Sequence, residues 1–172
     1  MKHIKASLFA AAVLAALPSF AADSTAAGQV EVTFQNPEKF RDIKDSSMDT
    51  EKGREANLAL VREYIEERAS RLLEPGQKLS VTITDIDLAG EYEPWRGPSA
   101  QDVRIVKSIY PPRFEMSFRV TDESGAVIKE GKSKLSDMNF QNNVHSANTS
   151  DPLRYEKRLL DDWLRREIRS RK

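Results

Sequence analysis

The 172-residue chain contains no cysteine, which excludes disulfide bonds, thiolate metal ligands and a cysteine nucleophile. It contains two histidines, and one of them lies in the N-terminal segment, which leaves His145 as the only imidazole in the remaining sequence. There is no glycine-rich phosphate-binding loop and no recognisable catalytic motif around a serine. We therefore expect no cofactor and no metal ion, and we expect a chain that is not an enzyme.

The sequence also lacks an excess of either charge. Lysine and arginine together number 27, as do aspartate and glutamate. A general nucleic-acid-binding protein has a basic excess, so no nucleic-acid partner is expected. No apolar run is long enough to form a transmembrane helix, which needs about 20 residues.

The first 21 residues have the pattern of a cleavable signal peptide. A basic start containing Lys2 and Lys5 precedes an uncharged run of 12 residues, Ala6–Leu17. That run is too short to cross ~30 Å of hydrocarbon as a helix. Ser19 and Ala21 place small side chains at the positions that signal peptidase reads. We expect cleavage after Ala21, a periplasmic location and, because no cysteine follows, no lipid anchor.

Apolar and polar residues alternate in four segments, which is typical of half-buried strands. These segments are Val30–Phe34, Leu79–Leu88, Phe114–Val120 and, after a turn at Asp122–Gly125, Ala126–Leu135. The phase of the second segment changes near Thr84 and Asp85. Either a β-bulge inserts one residue there or the strand ends at Thr84. A short apolar cluster, Val103–Ile109, is interpreted as an edge strand or a turn-bound segment.

Two further segments carry apolar residues at steps of three and four, which predicts amphipathic helices. The first runs from about Arg54 to Leu73, and the second has Asp151 as its N-cap and Pro152 at its first position. Their apolar stripes are Leu58, Val61, Ile65, Ala69 and Leu72 in the first, and Leu153, Leu160, Trp163, Leu164 and Ile168 in the second.

The order β-α-β-(β)-β-β-α predicts an α+β fold. We expect a mainly antiparallel sheet of four to five strands with both amphipathic helices packed on one face. The predicted domain covers residues 29–170 and follows a flexible leader at residues 22–28. Phe40 and Ile43 are isolated apolar residues in a polar run, and we expect them to pin that loop to the core.

Four acids, Asp85, Asp87, Glu91 and Glu93, lie close together and superficially resemble a calcium-binding loop. The fifth loop position would be Ala89 and the twelfth Arg96, and neither side chain is a cation ligand. We therefore expect no metal site, with Asp85 and Asp87 directed to solvent from the polar face of their strand.

The connection from Ala89 to Asp102 is unusually long, and such loops in compact domains tend to be functional or disordered. Its prolines restrict the backbone, and its aromatic and arginine side chains are those that dominate binding hot spots. We predict a partner-binding surface formed by Tyr92, Trp95, Arg96, Tyr110 and Arg113. In the alternative interpretation, Trp95 folds back and caps an open end of the core.

Four segments together carry a family resemblance: VEVTFQNPEKFRDIKDS, VTITDIDLAGEYEPW, DVRIVKSIYPPRFEMSFRVTD and LSDMNF. They resemble a family of small secreted proteobacterial proteins catalogued as domain of unknown function 3016. The resemblance covers about Val30 to Ile168 and implies a periplasmic or envelope-facing soluble domain. It implies no activity, substrate, cofactor or catalytic residue.

From the sequence we expect a non-catalytic binding or accessory module of the cell envelope, acting on an unidentified envelope protein or ligand. One alternative is an envelope hydrolase that uses surface carboxylates near Asp85, Asp87 and Glu91, or His145. Another is a structural envelope protein that self-associates through the exposed sheet face or an edge strand. The sequence leaves the oligomeric state open.

Overall fold

A computed structural model describes residues 28–143 and 150–169 of the chain. The predicted signal peptide, the leader up to residue 27 and His145 lie outside the described residues. Within them the elements are β1 (Val30–Phe34), α1 (Glu51–Ser70), β2 (Lys78–Asp87), β3 (Glu91–Tyr92), β4 (Arg104–Ile105), β5 (Arg113–Thr121), β6 (Val127–Ser136), α2 (Phe140–Asn143) and α3 (Arg154–Glu167). None of the helices in these two ranges has the length and apolar character needed to cross a membrane.

The main sheet has four strands in the order β1-β2-β5-β6. β1 and β2 are parallel, because α1 carries the chain back across the sheet between them. β2, β5 and β6 are antiparallel neighbours, and a tight turn joins β5 to β6 as predicted. The predicted α+β fold with a mostly antiparallel sheet is confirmed.

The phase change in β2 is a β-bulge. Ile83 pairs with Met116 and Asp85 pairs with Glu115, so Thr84 is the inserted residue. The insertion keeps Ile83 and Ile86 on the same, fully buried face of the strand, although three positions separate them. The strand therefore continues to Asp87, and the alternative that it ends at Thr84 is wrong.

Both long helices pack on one face of the sheet and form a single apolar core with it. α1 begins three residues earlier than predicted, because the Thr50 hydroxyl accepts a hydrogen bond from the Gly53 amide at 3.0 Å and caps the helix there. The opposite face of the sheet carries hydroxyl and charged side chains. The loop residues Phe40 and Ile43 are buried, as predicted.

The start of α3 differs from the prediction. The helix begins at Arg154, and its N-cap position is Leu153, whose side chain offers no oxygen. Asp151 instead accepts a hydrogen bond from the Leu153 amide at 2.9 Å and closes a turn before the helix. The predicted apolar stripe of α3 is buried throughout, including Trp163.

The predicted additional strand does not join the main sheet. Only Arg104 and Ile105 are extended, and they pair antiparallel with Glu91 and Tyr92 in a separate two-stranded sheet. This small sheet folds the long connection between β2 and β5 back on itself, which gives that connection its own local structure.

Candidate functional site

The segment from Leu88 to Pro112, here called the β2–β5 connection, is ordered by its own turns and by the β3–β4 pair. Two short 3₁₀ turns, Pro94–Arg96 and Pro98–Ala100, each begin with proline, whose fixed φ favours that conformation. Gly90 has φ +84°, and a Cβ at this position would lie 2.9 Å from the Ile105 carbonyl oxygen. Only glycine therefore fits where the two short strands approach each other.

The first anchor of the connection is an ion pair between Arg104 and Asp42. The Arg104 guanidinium donates to both carboxylate oxygens of Asp42, at 2.7 and 3.2 Å. It also donates to the carbonyls of Gly90 and Lys44, at 3.1 and 2.9 Å. The guanidinium also lies over the Tyr92 ring, with its carbon 4.5 Å from the ring centroid. One side chain thus joins both strands of the small sheet to the loop before α1.

The second anchor is Glu93, which is only 1% exposed although it lies in a surface loop. Its carboxylate accepts hydrogen bonds from Lys107 and Arg96, and from the Tyr110 hydroxyl at 3.0 Å. The hydrogen bond from Lys107 is the main reason that the pKa of Glu93 falls to about 2; burial opposes this shift, while Arg96 and Tyr110 reinforce it. Glu93 is therefore ionised at neutral pH and holds the connection together from within.

The third anchor is Glu156, on the first turn of α3. One of its carboxyl oxygens accepts a hydrogen bond from the Ala89 amide at 2.6 Å. The other is buried and has no hydrogen-bond partner in the described part of the chain. Burial raises the pKa of Glu156 to about 7, and the Ala89 hydrogen bond only partly offsets this. A neutral carboxyl at this position avoids burying an unpaired charge.

A cleft of about 410 Å³ lies between the connection and α3. Its walls include Tyr92 and Val106 from the connection, Lys44 from the loop before α1, and Tyr155 and Glu156 from α3. The Tyr92 and Tyr155 rings are each covered by an arginine side chain of this chain, Arg104 and Arg154, which also line the cleft.

The predicted partner-binding residues do not all lie at the outer surface. Trp95 is 72% exposed, so the interpretation that it caps the core is wrong. The turn Pro94–Arg96 carries the indole outward, while Glu93 holds the turn from beneath. Tyr92 is buried under Arg104 and lines the cleft instead.

The other three predicted residues take part in polar contacts. Arg96 and Tyr110 both bind the Glu93 carboxylate, and Arg96 remains largely exposed. Arg113 lies at the start of β5 and forms an ion pair with Asp87 at 3.5 Å. The structure thus brings Arg96 and Tyr110 together on one buried carboxylate, next to the turn that presents Trp95.

The acids that were considered as catalytic or metal-binding groups are paired with cations. Asp85 and Asp87 both face Arg41, at 3.3 and 4.0 Å, and Asp85 also accepts the Arg41 amide hydrogen bond at 2.9 Å. Both side chains are half-buried and ion-paired, so they are less exposed than expected for solvent-directed acids on the polar face of β2. Glu91 lies near Lys44 at 3.9 Å. In residues 28–143 and 150–169, no group of three or more acidic or histidine side chains is arranged to hold a metal ion.

Sequence reasoning missed Glu156 and the structural role of Glu93. Glu156 had a detectable signal, because it lies three residues after Leu153 and four before Leu160 and so belongs to the apolar stripe of α3. Glu93 had none, since its partner Lys107 is 14 positions away in a segment without regular periodicity.

These features define a small α+β domain with a mixed four-stranded sheet, two helices on one face, and a long structured connection between β2 and β5. A family model described as a protein of unknown function, DUF3016, matches residues 28–166, and the chain belongs to this family. No curated protein matches the chain, and no solved structure matches it.

Proposed function

We propose that this chain is an exported, periplasmic, non-catalytic binding module of the cell envelope. Its partner-binding surface is the outer side of the β2–β5 connection, centred on Trp95 and Arg96, with Tyr110 and Arg113 contributing at its border. The export part of this proposal rests on the signal-peptide pattern of the first 21 residues.

The observation that carries the binding proposal is an exposed tryptophan on an ordered support. Leaving an indole in water forgoes the favourable burial of a large apolar surface. Here the turn that presents Trp95 is held by the buried Glu93 carboxylate through Arg96. Because the backbone that carries the indole is already ordered, binding a partner costs less conformational entropy than it would from a flexible loop.

Further apolar exposure on the same segment supports this surface. Val103 is 50% exposed and Ile109 is 66% exposed, both within the β2–β5 connection. Arg96 keeps 47% of its side chain exposed while it contacts Glu93, so it can form a second contact with a partner. Tryptophan and arginine are enriched in protein-binding hot spots, and the centre of a protein interface is apolar, which favours an envelope protein as the partner.

The decisive experiment is capture from a periplasmic extract by crosslinking with wild-type protein and two alanine variants. Trp95→Ala removes the proposed anchor. Leu60→Ala removes an exposed apolar side chain on α1, away from the connection, and serves as the matched control. We expect one or more proteins to be captured by wild type and Leu60→Ala and lost with Trp95→Ala, and the purified partner to bind directly with the same ranking.

Equal capture by both variants would show that the connection is not the binding surface. If Trp95→Ala unfolds the domain, the residue has a structural role and the proposal fails on that ground. The hydrolase alternative is tested by a turnover assay on envelope polysaccharides and peptides. Hydrolysis by the wild-type protein that is lost in Asp87→Asn would support that alternative over the binding proposal.

A further inference from the structure

β6 is a long edge strand whose outer side is unpaired within the described part of the chain. It is the last strand in the order β1-β2-β5-β6, and it runs for 10 residues. Its side chains are exposed along most of its length. An exposed strand edge presents a row of unpaired backbone N–H and C=O groups, which is a template for pairing with another strand.

The register with β5 assigns each β6 side chain to a face. Glu130 and Lys132 lie opposite Arg119 and Ser117, so they project from the polar face of the sheet. Gly131 lies opposite the buried Phe118, on the helix-covered side. Because β6 bulges between Val127 and Lys129, its regular edge begins at Lys129. Any strand that pairs there meets one glutamate and three lysines between Lys129 and Lys134, with Gly131 among them.

A second copy of β6 complements these charges in one antiparallel register. A two-fold axis at Gly131 places Glu130 opposite Lys132 of the other copy, twice, and sets glycine against glycine. An axis at Lys132 would oppose two lysines, and one at Glu130 would oppose two glutamates. An axis at Ser133 would oppose Lys132 and Lys134 twice. Among these four neighbouring registers, only the axis at Gly131 avoids facing like charges.

We propose that two copies of this chain associate by antiparallel pairing of their β6 strands about Gly131, which joins their sheets into one eight-stranded sheet. The contact is short and its charge pairs are exposed, so it lies at the small, weak end of specific interfaces. We therefore expect a reversible dimer with a micromolar to millimolar dissociation constant that weakens as salt is added.

Charge reversal tests the predicted register. Glu130→Lys and Lys132→Glu each place like charges across the axis, and we expect each variant alone to dimerise about 10-fold or more weakly than wild type by sedimentation equilibrium. An equimolar mixture of the two variants restores both opposite-charge pairs, and we expect it to form a heterodimer of near wild-type affinity. Arg119→Gln is the control, because it removes only the intrachain Arg119–Glu130 pair.

Cysteine crosslinking gives an independent readout because the chain has no natural cysteine. Residues directly opposite in an antiparallel pair are ~4.5–5.5 Å apart at Cα, within disulfide range, whereas diagonal neighbours are ~7–8 Å apart. A mixture of Glu130→Cys and Lys132→Cys proteins should form the mixed disulfide. Each variant alone should crosslink at least several-fold less.

Three results would overturn the proposal. Wild-type protein that remains monomeric at millimolar concentration excludes the dimer. Variants that dimerise like wild type, singly and mixed, exclude β6 as the interface. Equal crosslinking of the single-cysteine proteins alone and in mixture excludes the axis at Gly131. All three are independent of the Trp95 surface and leave the proposed binding function unaffected.

Discussion

Arg104 binds both carboxylate oxygens of Asp42, across 62 positions of sequence. Asp42 is buried, so this pair lies where water cannot replace a missing partner. We expect Arg104→Ala to lower the free energy of unfolding by about 3–5 kcal/mol, because it leaves a buried carboxylate uncompensated. Urea denaturation followed by far-UV circular dichroism measures this loss.

Arg119→Ala is the control for this measurement. Arg119 also pairs with a carboxylate, that of Glu130, but both side chains are more than half exposed. Its loss should change stability by less than ~1 kcal/mol. A similar small effect for Arg104→Ala would mean that the Asp42 pair does not anchor the β2–β5 connection.

Truncating the two tryptophans of the chain to alanine should affect stability very differently, because one is buried and the other is exposed. Trp163 is 1% exposed, packs edge-to-face on Phe118 at 5.6 Å and donates to the Ser133 hydroxyl at 3.0 Å. We expect Trp163→Ala to destabilise the domain by about 3–5 kcal/mol. Trp95→Ala should change stability by no more than ~0.5 kcal/mol, because its indole is already in water.

Thermal melts of both variants, with tryptophan fluorescence as a second readout, check this pair. In Trp163→Ala the remaining indole should emit at the longer wavelength of an exposed tryptophan and be readily quenched by iodide. A blue-shifted, protected Trp95 would contradict the exposed position from which the binding proposal starts.

Local periodicity was enough to predict the strands and the helices, since each depends on residues within a few positions, but it left open whether β2 bulges near Thr84 or ends there. Ile83 and Ile86 carry the bulge signal directly in their change of phase. The direction of Trp95 could not be predicted in this way, because it depends on how Arg104 and Lys107 fix the connection from distant positions. The residue type alone fits a core cap and an exposed anchor equally well.

Glycine substitutions test whether the connection needs the close approach of its two short strands. Gly90 and Gly125 have nearly the same positive φ, +84° and +85°. A Cβ on Gly125 would contact nothing within 4 Å, whereas one on Gly90 would meet the Ile105 backbone at 2.9 Å. We expect Gly125→Ala to lower the free energy of unfolding by about 1–2 kcal/mol, because alanine is strained at this φ. Gly90→Ala should lower it by clearly more, because the steric clash adds to the same backbone strain. Equal melting temperatures for the two variants would contradict the tight approach.

Because the pKa of Glu156 is raised by burial, we expect the folded domain to lose stability as pH rises. Its pKa is raised from 4.5 to about 7 in the folded state. Between these values the folded state binds more protons than the unfolded state, so stability falls as pH increases. The contribution is fully present below about pH 4.5 and lost above pH 7, with a total of at most about 3 kcal/mol.

Glu156→Gln should remove this slope from plots of unfolding free energy against pH between 4.5 and 7.5. Asp162→Asn, an exposed acid on the same helix, should leave the slope unchanged. An unchanged slope in Glu156→Gln would show that its carboxyl does not titrate in this window.

For Glu93 we expect the opposite effect: the stability of the β2–β5 connection should fall as pH is lowered. Its pKa is lowered to about 2, so its stabilising contribution is present above about pH 4.5 and is lost as pH falls toward 2.

Glu93→Gln abolishes the charge that holds Lys107 and Arg96. We expect amide hydrogen exchange to accelerate in residues 94–109 while protection in β2 and β5 is retained. Glu91→Gln is the matched control, because it removes the charge that lies 3.9 Å from Lys44 while the glutamine oxygen can still accept the Tyr92 amide hydrogen bond, which Glu91 accepts at 3.0 Å. Faster exchange across the whole sheet would mean that Glu93 supports the core. Unchanged exchange in residues 94–109 would show that Glu93 does not order the segment that presents Trp95.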